Sequence, residues 1–443
     1  MKITLPLTLI AFMVLISTQI NAQVKAPQLT SQEQQIVVDS ISSKLTANYI
    51  FPDVAEKMAS SIKSKLQKGD YKSILDPGQF ASTLTADLQA ISKDKHLHLS
   101  FSPEHKTQRL STTAEDSIAH LNWRIKNMKR NNCGFKEVKI LDGNVGYLNL
   151  NRFYNVEHAG KTAVSAMNFL SNSDAIIIDL RFNGGGHPAM IQLITSYLYG
   201  SKSVHLNNFY WRPTDSNTQT WTLPHVPGTR SPDTPVYILT SSHTFSAAEE
   251  FCYNLKNLER ATIIGETTGG GAHPGRDFIA TDGYMIWIPT GRAINPITKT
   301  NWEGTGVSPH IETPSKKAFD VSYLKALETL KENNKEESSK ALYEWAIAKL
   351  KVKTNPITLD SKTLKSFVGS YGARKITFKD GTLFYQSDRD KGTIYELYPY
   401  SDHEFMLKDL EGFRIRFLYE GKKVTALQGL YGGGGMDKSL KNK

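Results

Sequence analysis

Four short segments hold residue types that could do chemistry. Asp179-Leu180-Arg181-Phe182-Asn183-Gly184-Gly185-Gly186 ends an apolar run in three glycines. Such a run lets the backbone bend sharply and turn N–H groups toward one point, a nest for an anion or a developing oxyanion. A plain strand-to-helix turn is the simpler alternative; a dinucleotide fingerprint is not, because the glycines are contiguous. Leu239-Thr240-Ser241-Ser242-His243-Thr244-Phe245-Ser246-Ala247-Ala248-Glu249-Glu250 passes from an apolar run through hydroxyl residues into a helical pattern. Ser246 falls at the helix start, where free N–H groups and the dipole favour negative charge. That place suits a nucleophile with the Ala247 N–H as oxyanion donor, and it also suits an N-cap. Asp94-Lys95-His96-Leu97-His98 places His96 and His98 on one face of a strand. Either imidazole has the pKa of a general base near neutrality. Asn301-Trp302-Glu303-Gly304-Thr305-Gly306-Val307-Ser308-Pro309 sets one carboxylate in a turn-rich loop. From there Glu303 could orient an imidazole or simply meet solvent.

The elements that must position these residues are legible as patterns. Residues 26–125 begin as a helical bundle: Ile36, Val37, Ile41, Leu45, then Met58, Ile62, Leu66, then Leu84, Leu88, Ile91 recur at helical spacing. Ser31-Gln32-Glu33-Gln34 opens like a capping box, and Asp76-Pro77-Gly78 is a turn. His96 to Phe101 then alternates as a half-buried strand does. Residues 136–315 alternate strand and helix, an α/β core; Ala175-Ile176-Ile177-Ile178-Asp179-Leu180 is a strand covered on both faces. Residues 316–354 read as a linker of charged helices. Asn355-Pro356 marks a boundary, and residues 355–432 read as a small antiparallel β domain with turns at Asp380-Gly381 and Glu420-Gly421. From Gly432 the Gly- and Lys-rich tail is expected to fray.

The remaining composition narrows the class. Of 443 residues, 39% are hydrophobic and 22% charged, enough for a packed core and too apolar for a disordered chain. The net charge of +10 is dispersed, so no nucleic-acid partner is expected. Residues 1–22 read as a cleaved secretory signal: Lys2, an apolar run from Leu7 to Ile16, and a small residue at Ala22. The expected place is secreted or periplasmic, with no transmembrane segment after cleavage. Two cysteines, Cys133 and Cys252, make neither a disulfide scaffold nor a zinc cluster. No metal or organic cofactor is expected, since no His/Cys/carboxylate group has ligand spacing along the chain.

Together the four segments resemble peptidase family S41, the tail-specific proteases, and within it the interphotoreceptor retinoid-binding protein-like and tricorn-like branch. The resemblance covers about residues 30–312. It implies a ClpP/crotonase-like α/β core and a secreted serine peptidase acting on a peptide or protein substrate. It places the nucleophile on Ser246, the oxyanion amides on Ala247 and on Gly185 or Gly186, and the base on His96 of the Asp-x-His segment. Glu303 would orient His96 and stabilise its imidazolium. The tail-specific branch takes a Lys from a Gly-Lys-Gly turn instead; here that turn is Thr267-Thr268-Gly269-Gly270-Gly271, and Gly271 leaves no Ser–Lys dyad. Lys95 stands where the tricorn pattern has a serine that relays to the Glu. A Glu303 beside the imidazole should raise the His96 pKa above its ordinary value. No PDZ insertion is recognisable, which argues against capture of substrate tails. Leu364 to Gly372 resembles small accessory domains of secreted serine hydrolases. Two other functions fit the same fold: a non-catalytic module for hydrophobic ligands, as in retinoid-binding relatives, and a hydrolase of non-peptide esters or amides.

Overall fold

The computed structural model describes residues 28–103, 114–281, 283–432 and 434–442. The expected signal, residues 1–22, lies outside them. Three helices open the chain: α1 (Ser31–Asn48), α2 (Pro52–Lys68) and α3 (Pro77–Ser92). The capping box of α1 sits one residue earlier than Ser31. Thr30 Oγ1 accepts the Glu33 N–H at 3.2 Å and Glu33 Oε2 accepts the Thr30 N–H at 2.7 Å. Asp76 caps α3 just ahead of Pro77.

The strand expected from His96 starts later. β1 (His98–Phe101) has four residues, and His96 lies in the turn before it. β1 pairs antiparallel with β10 (Tyr284–Pro289), which pairs with β9 (Gly275–Thr281). Leu97, Leu99, Ile286 and Ile288 close one core with Ile41, Met58, Ile62 and Leu84 of the helices. This small sheet therefore ties the helical layer to the chain that follows residue 274, and it brings residues 94–96 against the loop at 266–274.

After α4 (Ala114–Arg130), the centre of the molecule is a six-stranded sheet. Its strands are β2 (Phe135–Leu141), β3 (Val145–Leu150), β4 (Ala175–Asp179), β7 (Val236–Thr240), β8 (Ala261–Gly265) and β12 (Ile311–Glu312), in the order β12-β8-β7-β4-β3-β2. All are parallel except β2, which runs antiparallel to β3. β4 and β7 are buried along their whole length, as continuous apolar runs require. Helices α5 (Val156–Phe169), α6 (Pro188–Tyr197) and α7 (Ala247–Asn257) cover one face. The helices read as a linker cover the other. α8 (Ser315–Asn333) and α9 (Glu337–Thr354) bury Ala318, Leu327 and Tyr343 against Val145, Ile177 and Leu239. Their charged faces masked a narrow apolar stripe. Asp179 lies opposite Leu239 in register, so the segments leaving β4 and β7 emerge side by side at the carboxyl edge of the sheet. That edge is where open α/β sheets form their sites. A second small sheet joins β5 (His205–Trp211), β6 (Ser216–Trp221) and β11 (Gly291–Ile294).

α10 (Ser361–Ser366) leads into eight antiparallel strands, from β13 (Gly369–Tyr371) to β20 (Met436–Leu440), each paired with the next. Tyr371 bridges Lys441, and the Asn442 N–H donates to Ser370 O at 2.8 Å, bringing the last strand back to the first. The tail expected to fray past Gly432 is thus the strand that nearly closes a barrel. Phe367, Tyr371, Phe405 and Phe417 fill it. Cys133 and Cys252 are both buried and unbridged. Among the described residues, no helix is long and apolar enough to cross a membrane.

Because the barrel has its own core, ending the chain after Thr354 should leave a folded remainder. Ties across the junction include the exposed Lys349–Glu411 ion pair and Arg414 over the Trp345 ring. Contacts of those two kinds sum to about 1–2 kcal/mol, so the melting temperature should fall by about 5 °C or less. Thermal unfolding followed by circular dichroism checks this. A truncated chain with no cooperative transition would show that the barrel covers part of the core.

Candidate active site

The segment after β4 is fixed by its own side chains. Asp179 pairs with Arg181 at 2.6 Å and accepts the Tyr147 hydroxyl at 2.8 Å. Asn183, fully buried, donates to Leu150 O at 2.9 Å, accepts the Gly185 N–H at 2.8 Å, and its carbonyl takes the Phe245 N–H at 3.0 Å. That last bond ties the glycine turn to the residue before Ser246. Gly185 has φ +102°, and a Cβ there would lie 2.8 Å from Ser246 Cβ and 3.0 Å from the Ala247 nitrogen. Only glycine lets the turn pack so closely.

Ser246 joins β7 to α7. Its φ of 57° and ψ of −125° are rare for a residue with a side chain. Such a conformation costs about 1–3 kcal/mol and persists only where the surroundings impose it. Glu249, one turn into the helix, is the main constraint. Its carboxylate is buried and accepts the N–H groups of Ser246 (2.8 Å), Gly270 (2.6 Å) and Gly271 (2.8 Å), with the Thr268 hydroxyl as a fourth donor. Burial raises the Glu249 pKa and these bonds oppose the rise. One carboxylate so holds both the serine turn and the 268–271 loop. Among the described residues, the N–H groups of Ala247 and Gly186 have no acceptor, whereas that of Gly185 is already given to Asn183.

His96 reaches this edge from the helical layer. Its ring packs on Phe245 with centroids 4.6 Å apart. A Cβ at position 271 would lie 2.3 Å from Phe245 Cζ and 2.7 Å from His96 Cε1, so the two rings together fill the space a side chain at Gly271 would need. Both ring nitrogens are buried without a hydrogen-bond partner, so no bond joins His96 to Ser246 or Glu303 in this structure. The nearest carboxylate is Asp94, 4.0 Å from Nδ1, which also accepts the His96 backbone N–H at 3.0 Å. Burial pushes the imidazole down from 6.5 to about 4, with Asp94 opposing and His273 and His98 adding to the fall. The expected rise is therefore reversed: desolvation outweighs the acidic neighbour. His98 points away, exposed, its Nδ1 2.8 Å from the His96 carbonyl. Lys95 turns aside to the Gly269 carbonyl at 2.6 Å.

Glu303 arrives through the loop before β12. Its Oε2 accepts the Ala272 N–H at 2.5 Å and lies 3.4 Å from His273 Nδ1; its Oε1 is buried and unpartnered. Burial raises its pKa to about 7, with the Asp94 charge adding and His273 opposing. His273 also holds Asp94 Oδ2 at 2.9 Å, and the Tyr49 hydroxyl donates to the same oxygen at 3.3 Å. Sequence reasoning gave no role to His273, Asp94 or Glu249. Ser246-x-x-Glu249 has the spacing of a capping box and could have drawn attention to Glu249. Nothing in the sequence joins His273 to Asp94.

A strained serine between a buried parallel strand and a helix, beside free backbone amides, is an acyl-transfer arrangement. The profile of Peptidase family S41 matches residues 144–313, and that of the N-terminal domain of Peptidase S41 in eukaryotic IRBP matches residues 25–130. The chain belongs to peptidase family S41, and membership implies a peptide or protein substrate. Solved structures similar to it include a Bacteroides fragilis NCTC 9343 chain described as an S41 protease, at 21% identity and a TM-score of 0.37, covering 50% of this chain and 58% of that one. A lipoprotein from Streptococcus agalactiae is 15% identical, with a TM-score of 0.43 and coverage of 65% and 94%. The photosystem II D1 C-terminal processing protease is 15% identical, with a TM-score of 0.40 and coverage of 65% and 94%.

Proposed function

We propose that this chain is a secreted serine peptidase in which Ser246 is the nucleophile, His96 the base and Glu303 the carboxylate supporting the imidazolium. The observation that carries the reading is the backbone of Ser246, held at φ 57° with Gly185 packed on its Cβ. Strain of this kind presents the hydroxyl at the end of a buried strand, beside the first free N–H of the helix. Ser246 Oγ attacks the peptide carbonyl and its proton passes to His96. The new oxyanion is held by the amides of Ala247 and of Gly185 or Gly186, the Gly186 N–H being the one without an acceptor. His96 then gives the proton to the leaving amine, and water releases the acyl group by the same steps in reverse. Asp94, whose Oδ1 lies 4.0 Å from His96 Nδ1 and so beyond hydrogen-bond distance, shares the support of the cation with Glu303 through its charge. A fluorophosphonate probe tests the assignment: it should label the chain once, and peptide mass mapping should find the adduct on Ser246. An adduct elsewhere, or none, would overturn it.

Secretion is part of the proposal and rests on residues 1–22. In fractionated cells the mature chain should begin at Gln23 outside the cytoplasm. Edman sequencing that starts at Met1 would contradict this.

The pKa directions set the pH profile. A base whose pKa is held near 4 is neutral, and ready, at every pH above about 5. With EDTA present, the His96 limb of kcat/KM should therefore lie below pH 6. Glu303, raised to about 7, should add a separate inflection there, and Glu303→Gln should remove it. A limb centred at 6.5 or above that survives Glu303→Gln would mean that His96 is solvated. Stability follows with opposite signs. The unfolded chain protonates His96 near 6.5 and the folded one near 4, so His96 costs stability as pH falls through that window. Glu303 binds its proton more tightly when folded, so its contribution is lost as pH rises from 4.5 through 7.

A further inference from the structure

Asp94 and His96 lie two residues apart and Glu303 belongs to a distant loop of the chain, yet one donor atom of each lies within 4.8 Å of the others. The donors are unusually short of partners. Both His96 nitrogens and Glu303 Oε1 are buried and make no hydrogen bond, although buried polar atoms nearly always find one. Peptide hydrolysis accounts for one His96 nitrogen, the one that takes the serine proton. The second nitrogen and Glu303 Oε1 could then face each other across the imidazolium, yet in this structure both stand without a partner. The Asp94 side chain is 1% exposed and that of His96 11%, so bulk water is a poor substitute. His273 closes the far side, 2.9 Å from Asp94 Oδ2 and 3.4 Å from Glu303 Oε2, and holds both carboxylates in place.

One cation would take Glu303 Oε1 and one His96 nitrogen at once, the other nitrogen keeping the ring proton. An imidazole nitrogen with two carboxylate oxygens is a zinc-type donor set. Calcium takes six to eight oxygens, more than these residues supply. Zinc bonds of about 2.0–2.2 Å bring tetrahedral donors to about 3.5 Å of one another. The observed spread of up to 4.8 Å needs a contraction of about 1 Å, shared by small movements of all three side chains because the Asp94–His96 separation is itself 4.0 Å.

We propose that Asp94, His96 and Glu303 bind a divalent transition-metal ion of the zinc class, and that the ion switches hydrolysis off by occupying the imidazole lone pair. The inhibition rests on the reading of His96 as base; the binding does not.

The test uses the full chain carrying Ser246→Ala, which removes hydrolysis but no ligand. After dialysis against chelator, calorimetric titration with Zn²⁺ should show one site with a Kd of about 10 μM or tighter. Co²⁺ should give the visible bands of a tetrahedral site. Glu303→Gln and His96→Gln, each added to that background, should weaken binding at least tenfold; His98→Ala, at an exposed residue outside the set, should not. Melting curves establish that each variant is folded, and if His96→Gln is not, Glu303→Gln carries the test. No heat with millimolar Zn²⁺, or binding indifferent to Glu303→Gln, overturns the site. In the wild-type chain, saturating Zn²⁺ should lower peptide hydrolysis at least 100-fold, and EDTA should restore it. Tight binding with undiminished hydrolysis overturns the inhibition alone. A chain that binds Zn²⁺ but never hydrolyses peptides supports the site and removes His96 as base.

Discussion

Ser246→Ala is expected to lower kcat by about 10⁶ on any peptide substrate, with the fold intact. The size follows from how a nucleophile and its base act as a unit: without the attacking oxygen, what remains is the help given by amides and binding. The fold should survive because the constraints on position 246 lie in the backbone. Glu249 takes its N–H, and Gly185 packs on its Cβ, which alanine keeps. Alanine also inherits the strained φ of 57°, so the stability change should stay within about 1 kcal/mol. Ser246→Gly is the informative partner. Glycine adopts that backbone without penalty, so it should be equally inactive yet more stable than the alanine variant. Steady-state kinetics with a melting curve for each variant decides the matter. Activity within tenfold of the wild type in either would remove Ser246 as nucleophile.

The parts of this site legible in the sequence were those carried by local pattern. A buried run into three glycines, and a buried run into hydroxyls and a helix, each announce a turn at the carboxyl end of a strand. Parallel pairing of β4 with β7 then makes neighbours of the two turns, which no local pattern states. Gly271 was readable only as the absence of a lysine. Folded, it is the space that the Phe245 and His96 rings occupy. The pKa of His96 was misjudged in sign because sequence suggests neighbours and says nothing of desolvation. The same holds for His273: its meaning depends on Asp94 and Glu303 meeting it from two distant segments. In the rest of the fold, alternation was mistaken for strand at His96, where Leu97 turns inward before pairing begins. The charged outer faces of α8 and α9 disguised helices that cover half the central sheet.

His96→Ala is expected to cost about as much as losing the serine, about 10⁶ in kcat, since a serine hydroxyl without its base is a weak nucleophile. His98→Ala should leave kcat/KM within about threefold of wild type. The two residues are two apart, and the alternation of the sequence places both on one face, so only the fold separates them. His96 lies on Phe245, the residue before the serine, and is shielded from solvent. His98 begins β1 opposite Trp287, exposed, its ring bonded back to the His96 carbonyl. A modest effect of His98→Ala would pass through that bond, by loosening the turn that aims His96. It should then appear in kcat without moving the pH limb, because the depressed pKa comes first from the burial of His96 and only last from His98. A neutral amide can reproduce part of the bulk of His96 but cannot take a proton. His96→Gln should therefore be as inactive as His96→Ala while filling more of the space against Gly271 and Phe245. The comparison needs one peptide substrate, EDTA throughout, and a folding check on every variant. A dead His98→Ala beside an active His96→Ala would transfer the base to the exposed ring. Two dead variants, both folded and with the same pH limb, would mean that the turn from Asp94 to His98 acts as one rigid piece.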